Sequence, residues 1–265
     1  MLSLPHEVQL DVLKCLNFNQ LFSLKLTNFY FFNLIIKYEE GLARKKFKHL
    51  SLIKISLNDN RLSPDKFFSP QSGIFEFTLN DQVKEKWQAA IDKSIPLYLN
   101  SSKSERTLFV RIEEISYLVD RKNLLNLPNF PKNIEEMIEI RCWLEHLFNC
   151  AFERACFDGN LFNPEMIFIY SRMYYLIMRQ NNFSQFNVQE TILFANNTTF
   201  EINLKFCLNY LSISEFLCIN LDIDFTKQRT DVLFNILINE GNKFPKICLK
   251  FIKLELYDQI MKVFM

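Results

Sequence analysis

Glycine is scarce in this sequence, because the 265 residues contain only Gly41, Gly73, Gly159 and Gly241. Loops that bind nucleotide phosphates need several glycines in a short stretch, since the backbone must approach the phosphate closely. Neither G-x-G-x-x-G nor G-x-x-x-x-G-K-S/T can be formed from four glycines this far apart. The sequence therefore argues against catalysis that depends on such a phosphate loop.

The sequence also lacks an excess of charge of either sign, with 31 basic and 30 acidic residues and a net charge of +1. The one local basic cluster, residues 44–48, is more typical of a solvated helix face than of a nucleic-acid site. The longest apolar run, residues 166–178, contains Arg172 and is too short to span a bilayer. No secretory signal is recognisable at the amino end. We expect a cytoplasmic or nuclear protein without nucleic-acid or membrane partners.

Metal-ligating side chains at helical spacing occur at Cys142, His146 and Cys150. On a straight helix the two cysteines would lie ~12 Å apart along the axis, too far to share one zinc ion. The odd number of cysteines, seven, favours reduced thiols over a disulfide framework. None of the three histidines lies in a nucleophile motif. We expect no metal, no cofactor and no enzyme activity, and an unrecognised hydrolase is the least favoured hypothesis.

Apolar residues at helical spacing fill the first fifty residues. Val8, Val12 and Leu16 are four residues apart, which predicts one apolar face on a first helix. This helix is expected to start near Pro5, because proline fits the first turn, where its missing N–H would have no partner. Two further short helices are predicted, and their apolar residues are Leu21, Leu24, Leu26, Phe29, Phe31, Phe32, Leu34, Ile35 and Ile36.

These residues resemble the F-box family. The family pattern begins Leu-Pro-x-Glu-Ile/Val and continues with a leucine pair, a leucine-rich second helix and an aromatic residue ahead of a Leu-Ile pair. The corresponding residues are Leu4, Pro5, Glu7, Val8, Leu13, Leu16, Leu21, Leu24, Leu26, Phe31, Leu34 and Ile35. Phe31 stands where the family usually has Trp, and Asn28 where it often has a basic residue.

The resemblance implies a docking module that binds the Skp-family adaptor of a cullin-based ubiquitin ligase, while the rest of the chain holds an unknown protein substrate. The implied adaptor contacts are Leu4, Pro5, Val8, Leu13, Leu16, Leu21, Leu24 and Phe31. A module this short also buries too little surface to be stable alone, so it favours a partner. The alternative is that residues 1–45 are merely the first amphipathic helices of a helical domain.

Turn-forming residues are dense between residues 51 and 73, which predicts a linker between an F-box at 1–50 and a second domain at 74–265. Within the second domain, helices and strands are predicted to alternate. The strand centres are expected near residues 154, 190, 219 and 250, which is the spacing of stacked helix-and-strand repeats. One helix joins each pair of strands, so consecutive strands should be parallel.

This spacing resembles the leucine-rich repeats of other F-box proteins, although we recognise no unit with the consensus Asn. We predict an α+β fold: an N-terminal three-helix F-box followed by an irregular α/β domain of leucine-rich-repeat-like strand–helix units. An ordinary α/β domain is the alternative. Alternation along the strands predicts that outward-facing polar residues contact the substrate, or are simply solvated. These residues are Gln189, Thr191, Asn220, Asp222 and Lys250.

Two functions are compatible with these features. The first is a substrate-receptor subunit of a cullin-based ubiquitin ligase, which performs no bond chemistry and acts by raising effective concentration. The second is a repeat-type protein-interaction scaffold without a role in ubiquitin transfer, in which the first helices cap the repeats.

Overall fold

The computed structural model describes residues 4–56, 66–68, 81–99, 106–115, 122–157, 160–170, 185–195, 200–221, 227–250 and 257–258. Within these ranges the protein is a mixed α/β structure, with three short helices at the amino end and a large sheet with further helices after them. The expectation of an α+β fold is confirmed at this level.

Helices and strands alternate through the described ranges. The longer helices are α1 (His6–Lys14), α2 (Phe18–Lys25), α3 (Phe29–Lys37), α4 (Asp81–Asp92), α5 (Ile134–Phe148), α6 (residues 164–170), α7 (Phe200–Tyr210) and α8 (Lys227–Glu240). The strands are β1 (Lys45–Ser56), β2 (Lys66–Phe68), β3 (Tyr98–Leu99), β4 (Arg106–Glu113), β5 (Lys122–Leu125), β6 (Cys150–Cys156), β7 (Leu161–Phe162), β8 (Phe186–Ala195), β9 (Leu211–Leu221) and β10 (Ile247–Lys250).

Side-chain caps start the second and third helices. The Asn17 side chain accepts a hydrogen bond from the backbone N–H of Gln20, and the Gln20 side chain accepts one from the backbone of Asn17. The Asn28 side chain caps α3 in the same way by accepting from the Phe31 backbone. Asparagine at such a position satisfies N–H groups that a helix leaves unpaired.

The three N-terminal helices have a core of their own. Its buried residues are Leu13, Leu21, Phe31, Leu34, Ile35 and Leu42, and none of them belongs to the larger core of the sheet. A buried glutamine completes it: the Gln9 Nε2 group donates to the Leu4 carbonyl, and Gln9 Oε1 accepts from the Tyr30 hydroxyl. The helices therefore pack mainly on one another.

Eight strands form one mixed sheet in the order β10-β9-β8-β6-β1-β4-β5-β2. The five strands β1, β6, β8, β9 and β10 are mutually parallel, whereas β4 is antiparallel to both β1 and β5. Strands β6, β8, β9 and β10 are those predicted near residues 154, 190, 219 and 250, and their parallel pairing is confirmed. Helix α7 connects β8 to β9, and α8 connects β9 to β10.

One side of the sheet carries the main core. Helices α4 to α8 all contribute buried residues to this core, together with Leu50 of β1, Phe152 of β6 and Ile219 of β9. We call this side the helix-packed face and the opposite side the open face. On the open face a smaller cluster, Ile55, Phe109 and Leu124, lies at one end of β1, β4 and β5.

Alternation is interrupted at the same level in three neighbouring strands. In a regular strand, the residues that face the core are two positions apart. Here they are three positions apart, with two consecutive residues between them. The core pairs are Phe47 and Leu50 in β1, Phe152 and Ala155 in β6, and Val188 and Thr191 in β8. The register of β8 and β9 also shifts here. Each of the three strands therefore presents two successive residues to the open face.

The predicted linker is wrong at its start, because β1 runs from Lys45 to Ser56 in the interior of the sheet. Residues 44–48, predicted as a helix face, instead lead into this strand. The buried residues Leu50, Leu52 and Ile55 account for the strand, since turn-forming residues become dense only from Asn58 onward. The remainder of the linker, residues 57–65 and 69–73, lies outside the described residues.

Candidate functional site

The N-terminal helices expose an unusually large apolar surface. Nine large apolar side chains with exposed fractions of 37–76 % lie within residues 4–36, whereas the rest of the described chain has seven. Scattered apolar side chains are normal on a surface, but a concentration of this kind marks an interaction site. We call it the N-terminal apolar surface; it consists of Leu4, Val8, Val12, Phe22, Leu26, Phe29, Tyr30, Phe32 and Ile36.

Two helices supply most of this surface. On α3 the rings of Phe29 and Phe32 are stacked at 6.2 Å between centroids, and Lys25 Nζ lies 5.4 Å from the centre of the Phe32 ring. Phe29 is 76 % exposed. On α1 the exposed residues Val8 and Val12 lie one turn apart. Each helix is thus apolar on its outer side as well as on its inner side.

The structure exposes some of the predicted adaptor contacts and buries others. Leu4, Pro5 and Val8 are exposed, and Leu16 and Leu24 are half-buried. The prediction that the remaining three contact a partner directly is wrong, because they form the core of the module: Leu13, Leu21 and Phe31. Periodicity identifies apolar faces but does not distinguish an inner face from an outer one.

Sequence reasoning missed the outer residues of α2 and α3. They are Phe22, Leu26, Phe29, Tyr30, Phe32 and Ile36. A signal was present, because the sequence of α3, FYFFNLIIK, is apolar nearly all round. A helix of this kind on a small module has more apolar sides than the module can bury.

The open face carries a band of charge. One residue from each of six adjacent strands lies at the same level, paired with its neighbours in register. We call this set the charged row; it consists of Lys122, Glu113, His49, Arg154, Glu190 and Phe216. It crosses the sheet where β1, β6 and β8 present two successive residues outward.

Ion pairs join neighbours in and beside the charged row. Arg154 Nη2 lies 3.4 Å from Glu190 Oε2, and Arg111 Nη2 lies 3.3 Å from Glu113 Oε1. The Nδ1 atom of His49 lies 3.9 Å from Glu113 Oε2. Burial lowers the pKa of His49; Glu113 opposes this, whereas Arg111 and Arg154 add to it. His49 is therefore neutral at neutral pH.

Within the described ranges, three buried polar atoms on this face have no hydrogen-bond partner. They are His49 Nε2, Ser51 Oγ and Arg111 Nε. Buried polar groups are normally paired with protein or with ordered water. The open face around His49 is therefore a polar surface whose hydrogen bonds the described part of the chain does not complete.

The predicted substrate contacts are distributed over both faces. Lys250 is exposed, and Gln189 and Asn220 are half-buried. The outward prediction for Thr191 is wrong, because its exposed fraction is 0 %, and the irregularity in β8 turns it onto the helix-packed face beside Leu217. Asp222 lies outside the described residues.

A small cavity of about 90 Å³ opens between α5 and the strands β1, β4 and β5. Its lining residues are Lys45, Phe47, Ile112, Glu114, Asn123, Leu125, Trp143 and His146. Burial of the His146 ring and the positive charge of Lys45 lower the pKa of His146. Pockets for metabolites usually measure about 300–1,000 Å³. This cavity therefore has room for a single side chain or a few waters.

Cys142 of α5 and Cys150 at the start of β6 are protonated thiols. Burial raises the pKa of Cys142 to about 11 and that of Cys150 to about 12, and the Cys150 thiol donates a hydrogen bond to the His146 carbonyl. In the part of the chain that the structure describes, no three His, Cys, Asp or Glu side chains are grouped so that they could hold a metal ion. None of the helices in these ranges has the length and hydropathy that crossing a bilayer requires.

Comparison with known proteins gives a match to a family model. No curated protein and no solved structure matches the chain. The model of a family described as a domain of unknown function, DUF8381, matches residues 68–222. The match runs from the end of β2 to just past β9, while β1 and β10 belong to the same sheet outside it. Because the matched residues make up more than half of the chain, the protein belongs to the DUF8381 family.

Proposed function

We propose that this protein is the substrate-receptor subunit of a cullin-based ubiquitin ligase. Its N-terminal helices bind a Skp-family adaptor, and through it a cullin, while the sheet domain holds a protein substrate. The receptor has no cofactor and catalyses no reaction, and it acts in the cytoplasm or the nucleus. The observation that carries the proposal is the N-terminal apolar surface, on a module whose sequence resembles the F-box.

The energetics of this surface favour a protein partner. Fully burying one Val, Leu, Ile or Phe side chain stabilises a protein by roughly 1.5–3 kcal/mol. Each of the nine side chains in the surface is more than a third exposed, so a partner that covers them gains several kcal/mol. The same residues leave an isolated chain prone to association, which is a reason for a dedicated partner.

The separate core of the N-terminal helices supports a docking module over a cap. A cap on a repeat array shares its core with the array, because capping means covering the last apolar layer. Here the core formed by Leu13, Leu21 and Phe31 is distinct from the core of the sheet. The exposed motif residues Leu4, Pro5 and Val8 remain available for a partner.

The leucine-rich-repeat-like interpretation of the sheet domain also has support, because one unit carries an Asn at the consensus position that we did not recognise from the sequence. Around β6, the spacing L-x-x-L-x-L-x-x-N-x-L is matched by Phe152, Ala155, Phe157, Asn160 and Phe162. All four apolar positions are at most 1 % exposed. Around β8 the spacing recurs in part, at Val188, Leu193 and Asn196, whereas the other two apolar positions are Thr191 and Thr198; Asn196 and Thr198 lie outside the described residues.

In this proposal the substrate lies on the open face. Arg154 is the most accessible side chain of the charged row, with 55 % of its surface exposed. Its neighbour Glu190 and the half-buried Phe216 add an acceptor and an aromatic surface. Lys250, on the edge strand, completes a mixed-charge surface with apolar patches, which is suited to a protein rather than to a nucleic acid.

Binding to a purified Skp-family adaptor tests the proposal. The double variant Phe29→Ala/Phe32→Ala removes the stacked pair at the centre of the surface on α3, and we expect binding at least about tenfold weaker than wild type. The matched control is Phe168→Ala/Ile202→Ala, which removes two similarly exposed apolar side chains, 41 % and 44 %, from α6 and α7. The control should bind like wild type.

Two results would overturn the proposal. One is the absence of adaptor binding by the folded wild-type chain. The other is equal binding by both double variants, which would show that the N-terminal apolar surface is not the contact. Thermal unfolding of each variant verifies that a loss of binding is not a loss of fold.

A further inference from the structure

Cys218 in β9 and Cys248 in β10 lie directly opposite each other in the parallel register of the two strands. Paired positions on adjacent strands are about 4.8 Å apart and direct their side chains to the same face. Here that face is the open one, because the flanking residues Leu217 and Ile219 belong to the main core. Burial raises the pKa of Cys218, and the neighbouring Cys248 contributes to the shift. The Cys218 thiol donates a hydrogen bond to Asn220 Oδ1 at 3.8 Å, and Cys248 lies beside Cys218 on the same face.

No other pair among the seven cysteines has this arrangement. All seven are free and lie in the described ranges. Cys156 is at the same level of the open face, but Ile192 of β8 separates it from Cys218. Cys15 is exposed on the N-terminal module, and Cys207 is buried in α7.

The spacing of this pair is compatible with a disulfide. Disulfides join residues whose Cα atoms are about 4.4–6.8 Å apart and whose Cβ vectors do not point away from each other. Among the described strands, β10 is at the edge of the sheet and pairs only with β9, so it can shift slightly to complete the bond. Cys248 on this edge is half-buried, whereas Cys218 is 2 % exposed. Oxidants therefore reach Cys248 first.

We propose that Cys218 and Cys248 form a redox-sensitive dithiol, which a hydroperoxide oxidises to a disulfide that fixes the edge strand β10 to β9. With hydrogen peroxide, the Cys248 sulfur attacks one oxygen, the O–O bond breaks, and Cys248 sulfenic acid and one water form. The Cys218 sulfur then attacks the Cys248 sulfur and displaces the hydroxyl group as a second water. Two thiols lose two protons and two electrons, and one peroxide becomes two waters.

The disulfide would change the protein in two measurable ways. It closes a loop between residues 218 and 248, which restricts the unfolded chain and raises the melting temperature by several degrees. It also fixes β10 to β9 at the end of the open face that carries Asn220 and Lys250, which are paired in register. Both changes are reversed by a thiol reductant.

Peptide mapping of the full chain tests the proposal directly. The reduced wild-type protein is treated with a few equivalents of hydrogen peroxide, alkylated and digested without reductant. We expect one intramolecular cross-link between the peptides that contain Cys218 and Cys248, loss of two of the seven thiols, and recovery of both with dithiothreitol. Cys156→Ser should give the same cross-link, whereas Cys248→Ser should give none.

Recovery of Cys218 and Cys248 as free thiols, while other cysteines are oxidised, would overturn the proposal. Irreversible oxidation of Cys248 without a cross-link would do the same. The wild-type map does not depend on the folding of any variant. Phenylarsine oxide, which binds two adjacent thiols, provides a second probe: protection of Cys218 and Cys248 together from alkylation supports the pair, and modification of either alone contradicts it. Neither measurement depends on adaptor binding.

Discussion

The Tyr30 hydroxyl of α3 donates a hydrogen bond to Oε1 of Gln9 in α1, and this contact ties the first and third helices together. The other end of the Gln9 amide donates to the Leu4 carbonyl at 2.8 Å. Gln9 is 3 % exposed, so its amide is satisfied entirely by the protein. One buried side chain thus holds the residue at the start of the exposed motif in place.

Removing the Tyr30 hydroxyl should therefore destabilise the N-terminal module. Tyr30→Phe leaves Gln9 Oε1 buried without a donor, and the expected cost is roughly 1–2 kcal/mol. Chemical denaturation followed by fluorescence or circular dichroism measures the change. Phe29→Ala, one residue earlier but 76 % exposed, is the control and should shift stability by less than about 0.5 kcal/mol. Equal effects of the two substitutions would contradict this account of Gln9.

Two leucines predicted from the same periodic pattern should behave differently. Leu21 is 3 % exposed and Leu26 is 71 % exposed. Leu21→Ala should cost roughly 2–4 kcal/mol through lost burial and a cavity, whereas Leu26→Ala should cost less than about 0.5 kcal/mol. Thermal unfolding of the two variants measures the difference. The effects on the affinity for a partner at the N-terminal apolar surface should rank in the opposite order. Leu26→Ala should weaken binding more than Leu21→Ala, because only Leu26 is exposed enough to contact the partner.

The protein should lose stability as the pH falls below neutral. Burial lowers the folded-state pKa of His49 below the usual 6.5, so the unfolded chain binds the proton more readily. The stabilisation is fully present above pH 6.5 and decreases as the pH falls from there through the folded-state pKa. The pKa of His146 is shifted in the same direction and contributes in the same way.

Melting temperatures between about pH 5 and pH 8 test this pH dependence. The slope should be smaller in His49→Gln and in His146→Gln than in wild type, and smallest in the double variant. Arg154→Gln removes a positive charge that lowers the His49 pKa. The folded-state pKa of His49 should then lie closer to its unfolded value, so stability should fall less steeply as the pH decreases. Identical slopes in wild type and the double variant would show that neither histidine is responsible.

The sequence was sufficient to predict the repeated strand and helix pattern. The strands near 154, 190, 219 and 250 are present and parallel, and helices α7 and α8 lie between the last three of them. These elements have strong local patterns, so local reasoning finds them. Strand β1 was missed as part of the sheet because its partners, β4 and β6, lie 50 or more residues away in sequence.

The candidate sites were less accessible to prediction, for two physical reasons. The charged row depends on the register of six strands, and no local pattern in the sequence specifies which residue of one strand lies beside which residue of the next. The inner and outer residues of the N-terminal helices are both apolar, so only packing distinguishes Leu13 from Val12. A break in alternation, as at Val188 to Thr191, moves every later residue of a strand to the opposite face.

Thr191 provides a direct test of that break. Its exposed fraction is 0 %, and its hydroxyl oxygen has no hydrogen-bond partner among the residues that the structure describes. Thr191→Val replaces the hydroxyl with a methyl group of similar size and removes an unsatisfied polar atom from the core, so it should stabilise the protein by about 1 kcal/mol. The control Thr27→Val should do the reverse, because the Thr27 hydroxyl donates a 2.7 Å hydrogen bond to the Leu24 carbonyl. If Thr191 faced solvent, as strict alternation predicts, the valine would give no gain, and the placement of β8 against β9 would be wrong.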